Sequence, residues 1–374
     1  MERYSDLQFK VFDWLRFPLI VGVVFIHCFG KPFDYDAIDF VHLTGMDCYN
    51  LFRVSISKVL THVCVPTFYL ISGYLFFIGL EKWCWGTYLK KLKKRSKSLL
   101  VPFLIWNTLC IILTVISVLR HEGWLGVQDF FVDNNYAHLY WDCQVWNLDR
   151  TNLLGWENIA TSPYCIPIWF LRDLMVVSVC SPLLFMLFKY TRILGVMLLT
   201  ICYITAVFVP IPGFSIMAFL FFGVGGYCRM NGIDVTKVTF DYRKLIYMVA
   251  IILWIVCTMF NGHNTKQGDI VYPFYVIFGC MAIINLATYF VDKKKAVASE
   301  FLSKASFFIY LLHTILVIRV VTKVSVVIFG ETNPLLMTMS YLFVPITTVA
   351  ICLWVYSILS KYTLALLKVL TGDR

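Results

Sequence analysis

Apolar runs recur along the whole chain, roughly at 11–30, 59–80, 99–119, 167–188, 193–209, 213–228, 245–260, 270–291, 305–329 and 335–360. An α-helix needs about 20 such residues to cross the hydrocarbon of a bilayer. The runs lack the strict alternation that marks outer-membrane barrel strands. Only 14% of the 374 residues are charged, against 60% hydrophobic. A soluble domain carries roughly 25% charged residues. The expected fold is therefore an all-α integral membrane protein, a bundle of about ten transmembrane helices. No repeat or linker divides it, so 1–374 reads as a single transmembrane domain.

Basic residues orient the bundle. With a cytoplasmic N-terminus, the inner segments hold 23 Lys or Arg and the outer segments hold 8, with Arg172 inside a span. That asymmetry fits the positive-inside rule and places both termini in the cytoplasm and 120–166 outside. The net charge of +10 is thus mostly a topology signal, and no nucleic-acid partner is expected. The first span has no small-residue cleavage site, so it is expected to stay in place. No N-x-S/T sequon occurs, which favours a bacterial cytoplasmic (inner) membrane. The 13 cysteines form no CxxC pair and no metal-ligand spacing, so no metal is expected. The outer loop 120–166 carries Trp124, Trp141, Trp146 and Trp156. Such rings anchor membrane interfaces or stack on sugars.

Ionisable groups inside spans are costly and point to function. The first span is uncharged only over 17–30 apart from His27. It must therefore draw Asp13 and Arg16 into the inner membrane edge. At about 100° per residue, Arg16 and His27 differ by about 20° in azimuth, and Asp13 lies about 40° from His27. All three share one face. Each also has a plainer reading, as an interhelical hydrogen bond for His27 and a snorkelling anchor for Arg16. Arg172 and Asp173 stand together near the outer start of the fourth span, where the plainer reading is a mutual ion pair. His313 falls close to mid-membrane in the ninth span. Ser72 and Gly73 mark either a tight helix contact or a polar site. No base adjoins Ser72, and no G-x-S-x-G elbow, Walker A loop, dinucleotide fingerprint or H-E-x-x-H helix is present.

These residues carry a family resemblance. Arg16, ten intervening residues and His27 resemble the R-x10-H signature of the membrane-bound acyltransferase family 3. The stretch with Pro66, Phe68, Ser72, Gly73 and Tyr74 resembles its F-x-x-S-G-[FY] segment. Lys94, Arg95 and Lys97, followed by Pro102, Phe103 and Trp106, are similar to its basic cluster and P-[FY]-x-x-W. Trp169, Phe170 and Leu171 look like its W-F-L segment. Ser306, Ile309, Tyr310 and His313 look like its S-x-x-I-Y-x-x-H segment. The matches occur in family order over nearly the whole chain. In one departure, the family's basic pair R-x-x-R corresponds here to Lys94 and Lys97, with Arg95 between; a Lys still binds phosphate as a point charge.

The resemblance implies a ten-helix enzyme that takes an acyl group, commonly acetyl, from coenzyme A on the cytoplasmic side. It implies a hydroxyl acceptor on a surface polysaccharide or its lipid-linked precursor. The catalytic residues expected are His27, Arg16 and Asp13. His27 serves either as general base or as acyl carrier, while Asp13 orients Arg16 toward the thioester or pantetheine arm. Ser72, Trp169, Arg172, Asp173 and His313 are expected to meet substrate, and Lys94, Arg95 and Lys97 to meet the donor's phosphates. Buried charges and histidines also suit a transporter or flippase for an envelope precursor, though no internal repeat of the transporter kind is visible. Another alternative is an inactive partner in polysaccharide synthesis.

Overall fold

The protein is described by a computed structural model covering residues 2–151, 157–262 and 265–373. Most of each apolar run is helical, with 167–188 divided between Trp169–Val179 and Ser181–Thr191. Five helices are long and apolar enough to cross a membrane: Gly45–Phe76, Trp85–Asp133, Lys266–Asp292, Glu300–Phe329 and Pro334–Tyr362. Two bent pairs, Ile166–Val179 with Ser181–Thr191 and Ile216–Met230 with Val235–Asp241, raise the number to seven among the described residues. Ile193–Thr205 and Arg243–Met259 are shorter. The first helix, Glu2–His27, carries Lys10, Asp13 and Arg16 in its length. Among the described residues the chain is a helical integral membrane protein with one small hairpin.

The chain folds into two compact units: Met1–Ile71 with Gly232–Ile358, and Ser72–Asn231 with Leu359–Arg374. In the first unit, Glu2–His27 packs on Lys266–Asp292 and Glu300–Leu312. Val11, Phe12, Leu15, Leu19, Ile20, Val23 and Val24 are all buried. Their spacing of three and four residues makes one stripe, as a helix with one packed face requires. Two departures from α geometry stand out in this unit. Val54–Val59 and His313–Val317 are π-helical turns, a form that concentrates at functional sites.

In the second unit the helix over 85–133 is interrupted by a π turn at Ser96–Leu100 and by Gly123, whose φ of 73° departs from the helix. The expected outer loop 120–166 is thus partly helical, with Tyr136–Trp141 forming a further short helix. An antiparallel hairpin follows, Gln144–Thr151 with Glu157–Ser162, pairing Gln144 with Ser162. Of the loop tryptophans, Trp124 is exposed and Trp141 is ordered against Pro212, whose carbonyl accepts from its indole N–H. Trp156 and the side chain of Trp146 lie outside the described residues. Asn107, fully buried, ties this region down: its amide donates to the Leu139 carbonyl at 2.9 Å and accepts from the Cys165 N–H at 2.8 Å. Within the same unit, Gly73 lets its helix touch Ile216–Met230 backbone to backbone. A Cβ at Gly73 would stand 2.0 Å from the Phe222 carbonyl oxygen. Small residues at such crossings are how apolar helices gain packing where lipid gives no hydrophobic drive.

Candidate active site

His27 ends the first helix, half-buried. His313 begins the π turn that follows Glu300–Leu312 and is fully buried. The fold brings these two histidines, 286 positions apart in sequence, to a ring-centroid separation of 5.2 Å with a 54° tilt. His313 Nδ1 lies 3.0 Å from the Ile309 carbonyl oxygen. A carbonyl only accepts, so Nδ1 carries the proton, and the neutral ring keeps its lone pair on Nε2. A neutral imidazole with a free lone pair beside a second imidazole can accept protons from a hydroxyl or hold a partner ring in one orientation.

Arg16 and Asp13 sit nearer the start of the same helix. Arg16 Nη2 lies 3.2 Å from Asp13 Oδ1, and Nη1 donates to Ser303 Oγ at 3.3 Å. The eleven-residue offset corresponds to about 16 Å of helix rise. Arg16 therefore faces the same side as His27 but at another depth, and the two cannot grip one reacting atom.

The basic segment, in the second unit, divides by helical face. Lys90, Lys93, Lys94 and Lys97 line a surface groove with Ser96, Leu100 and Val101. Lys97 is also 2.8 Å from Asp373, whose carboxyl is held below its usual range by that hydrogen bond. Arg95 turns the other way. Its Nη2 donates to Ser72 Oγ at 2.9 Å and to the Ser72 carbonyl at 3.2 Å, and its guanidinium lies over Phe76 at 5.1 Å. The three basic residues grouped together in the sequence thus separate, and Arg95 joins Ser72.

Arg172 and Asp173 are both 3% exposed. Nε and Nη2 of Arg172 each approach Asp173 Oδ1 at 2.9 Å. Nη1 donates to the Trp141 carbonyl at 2.6 Å and to Thr161 Oγ1 at 3.0 Å, and Nη2 donates to the Thr161 carbonyl. All the guanidinium N–H groups are engaged, which clamps the short helix Tyr136–Trp141 and the strand Glu157–Ser162 to the helix Trp169–Val179. Trp169, half-buried, opens that helix.

The family model for the acyltransferase domain matches residues 9–357. The chain belongs to this acyltransferase family. Succinoglycan biosynthesis protein ExoH of Rhizobium meliloti (strain 1021) is 30% identical over 226 residues, which cover 59% of this chain and 54% of that protein. The match thus spans about half the length of this relative. No solved structure matches. Membership of this family favours the group-transfer reading over the transporter reading.

Two features were not expected from the sequence. Arg53, one of the eight basic residues placed on the outer side, is 3% exposed. Its Nη1 donates to the carbonyls of Phe29 and Lys31, and its guanidinium stacks over Phe29 and Phe33. It fixes the chain just beyond His27. Ser57, in the π turn Val54–Val59, donates to the Phe25 carbonyl at 2.6 Å and lies 2.7 Å from the Tyr341 hydroxyl. The available signal was an arginine between apolar stretches at 51–60; the span expected from residue 59 hid it, because the helix begins at Gly45.

Proposed function

We propose that this acyltransferase is an acyl-coenzyme A-dependent O-acyltransferase, commonly transferring acetyl, that esterifies a hydroxyl of a cell-surface polysaccharide or its lipid-linked precursor. The observation that carries this reading is the close His27–His313 pair in a chain of an acyltransferase family. The carbohydrate acceptor is supported by likeness to a succinoglycan biosynthesis protein. Ten crossings, on the apolar runs, both termini cytoplasmic, on the asymmetry of basic residues, and an inner-membrane location, on the missing sequons, complete the reading.

His27 acts as general base on the acceptor hydroxyl, or carries the acyl group as a covalent intermediate. Arg16, held by Asp13, meets the donor deeper along the same helix face. A fixed cation there binds the pantetheine arm, away from the thioester that must sit beside His27. Lys94 and Lys97 neutralise the nucleotide phosphates on the cytoplasmic face. Arg95 acts through Ser72, keeping that helix contact in place. Arg172 and Asp173 shape the acceptor side by holding the outer elements, with Trp169 beside them.

The test compares the ester content of the envelope polysaccharide with and without the gene, alongside transfer by the purified protein. The expected result is loss of one ester in the deletion, restored by the wild-type gene and not by His27→Ala that inserts normally. Unchanged ester content, with no acyl-coenzyme A turnover by the purified protein, refutes the reading.

A further inference from the structure

We infer that His313 is a positioning residue that holds His27 through an imidazole–imidazole hydrogen bond, making the pair a two-histidine relay. This rests on the reading of His27 as general base. Three observations carry it. The Ile309 carbonyl fixes the His313 proton on Nδ1. Nε2 is buried and has no hydrogen-bond partner among the described residues. A buried unpaired acceptor is unusual in a native protein and calls for a reason. The third observation is the distance. Two imidazoles joined edge to edge by an N–H···N bond have ring centroids about 5 Å apart. His27 and His313 stand 5.2 Å apart, tilted by 54°. Their separation already suits the bond, and rotation of the His27 ring aligns it.

The two rings differ in freedom. His313 is fully buried and anchored in a π turn, while His27 is half-buried at a helix end. His313 is thus the fixed member and His27 the working one. In the relay, one His27 nitrogen donates its N–H to His313 Nε2. The other nitrogen then carries the lone pair and faces the acceptor. As the acceptor O–H bond breaks, its proton goes to that His27 nitrogen, and the oxygen forms a bond to the thioester carbonyl carbon. Collapse of the tetrahedral adduct breaks the C–S bond, and the leaving thiolate takes the proton from His27. The products are the ester and the free thiol, and both imidazoles return to their starting state. His313 fixes the His27 tautomer and stabilises the imidazolium by accepting its N–H, the role a carboxylate has in a Ser-His-Asp triad.

The test uses the full chain in detergent, comparing wild type with His313→Phe and His313→Gln. Phenylalanine fills the space and has no lone pair. The glutamine amide oxygen reaches the position of Nε2 and still accepts. A hydrogen bond to a charged group predicts kcat lower by about 10- to 100-fold in His313→Phe, with KM for acyl-coenzyme A and acceptor unchanged. His313→Gln should recover much of that loss, an order that a packing role would reverse. Nitrogen-15 spectra of labelled histidines give an arm that needs no turnover. His27 should hold one tautomer in the wild type and a mixture in His313→Phe. An unchanged His27 tautomer in His313→Phe overturns the inference, as does His313→Phe turning over as fast as His313→Gln. A wild-type protein that transfers no acyl group refutes the proposed reaction, and the tautomer arm then decides the pairing by itself.

Discussion

Replacing Gly73 by alanine tests the backbone contact beside Ser72. The added Cβ would lie 2.0 Å from the Phe222 carbonyl oxygen, 2.7 Å from the carbonyl carbon and 2.8 Å from Cα. A relaxed carbon-to-oxygen contact needs about 3.3 Å, so the two helices must separate locally by about 1.3 Å. All three obstructing atoms are backbone and cannot swing aside. Overpacking of this kind costs about 1–3 kcal/mol, and the upper end applies here. Alanine gains about 1 kcal/mol over glycine in helix propensity. The net loss is about 2 kcal/mol, roughly 30-fold in the folding equilibrium. Gly226→Ala is the control. Its Cβ would meet the Phe77 ring at 2.6 Å, and a ring can tilt where a carbonyl cannot. Its net loss should be about 1 kcal/mol or less. Unfolding in mixed micelles, followed by tryptophan fluorescence, measures both. Equal stability of Gly73→Ala and wild type, or a larger loss at Gly226, would refute the reasoning.

Lys94→Gln with Lys97→Gln should raise the apparent KM for acyl-coenzyme A and leave that for the acceptor nearly unchanged; the effect should shrink with a donor lacking the nucleotide phosphates. If donor KM stays at the wild-type value, the groove is a topology signal. Arg172→Ala strips the partner from a buried carboxylate and should destabilise the protein by about 3–5 kcal/mol, read by the same micelle titration. Reporter fusions at residue 140 should report the outer side; a cytoplasmic signal would invert the proposed orientation.

Much of this was legible in the sequence for one reason: apolar runs long enough to cross a bilayer have few structures open to them. The shared face of Arg16, Asp13 and His27 followed from helix periodicity, and Glu2–His27 is a continuous helix that preserves it. Helix ends were less legible. Gly45–Phe76 starts 14 residues before its apolar run because Thr44 caps it through Asp47, with both side chains bonded to backbone. The parting of Arg95 from Lys94 was available from the same periodicity, since neighbours on a helix point about 100° apart. Grouping by charge obscured it. The partnership of His27 with His313 was not legible, because nothing local links residues so far apart in sequence. The hairpin over 144–162 escaped because that stretch read as loop, with little alternating pattern to mark strands.

The π turn at His313–Val317 bears on how chains of this kind can be compared and recombined. A π turn holds one residue more than an α-helix uses over the same winding, and such turns occur as single-turn bulges inside α-helices. Without it, everything beyond would rotate by about 100°, and Val321 and Ser325, both buried, would leave their places. The extra residue is therefore a spacer that lets the half-helix bearing His313 and the half beyond it keep separate registers. A relative without the spacer would align to this chain with a one-residue gap inside an unbroken apolar helix, where gaps are least expected. A chimaera joining such a relative to this chain within the turn would inherit the wrong phase; joined before or after it, the chimaera would keep each half facing its own neighbours.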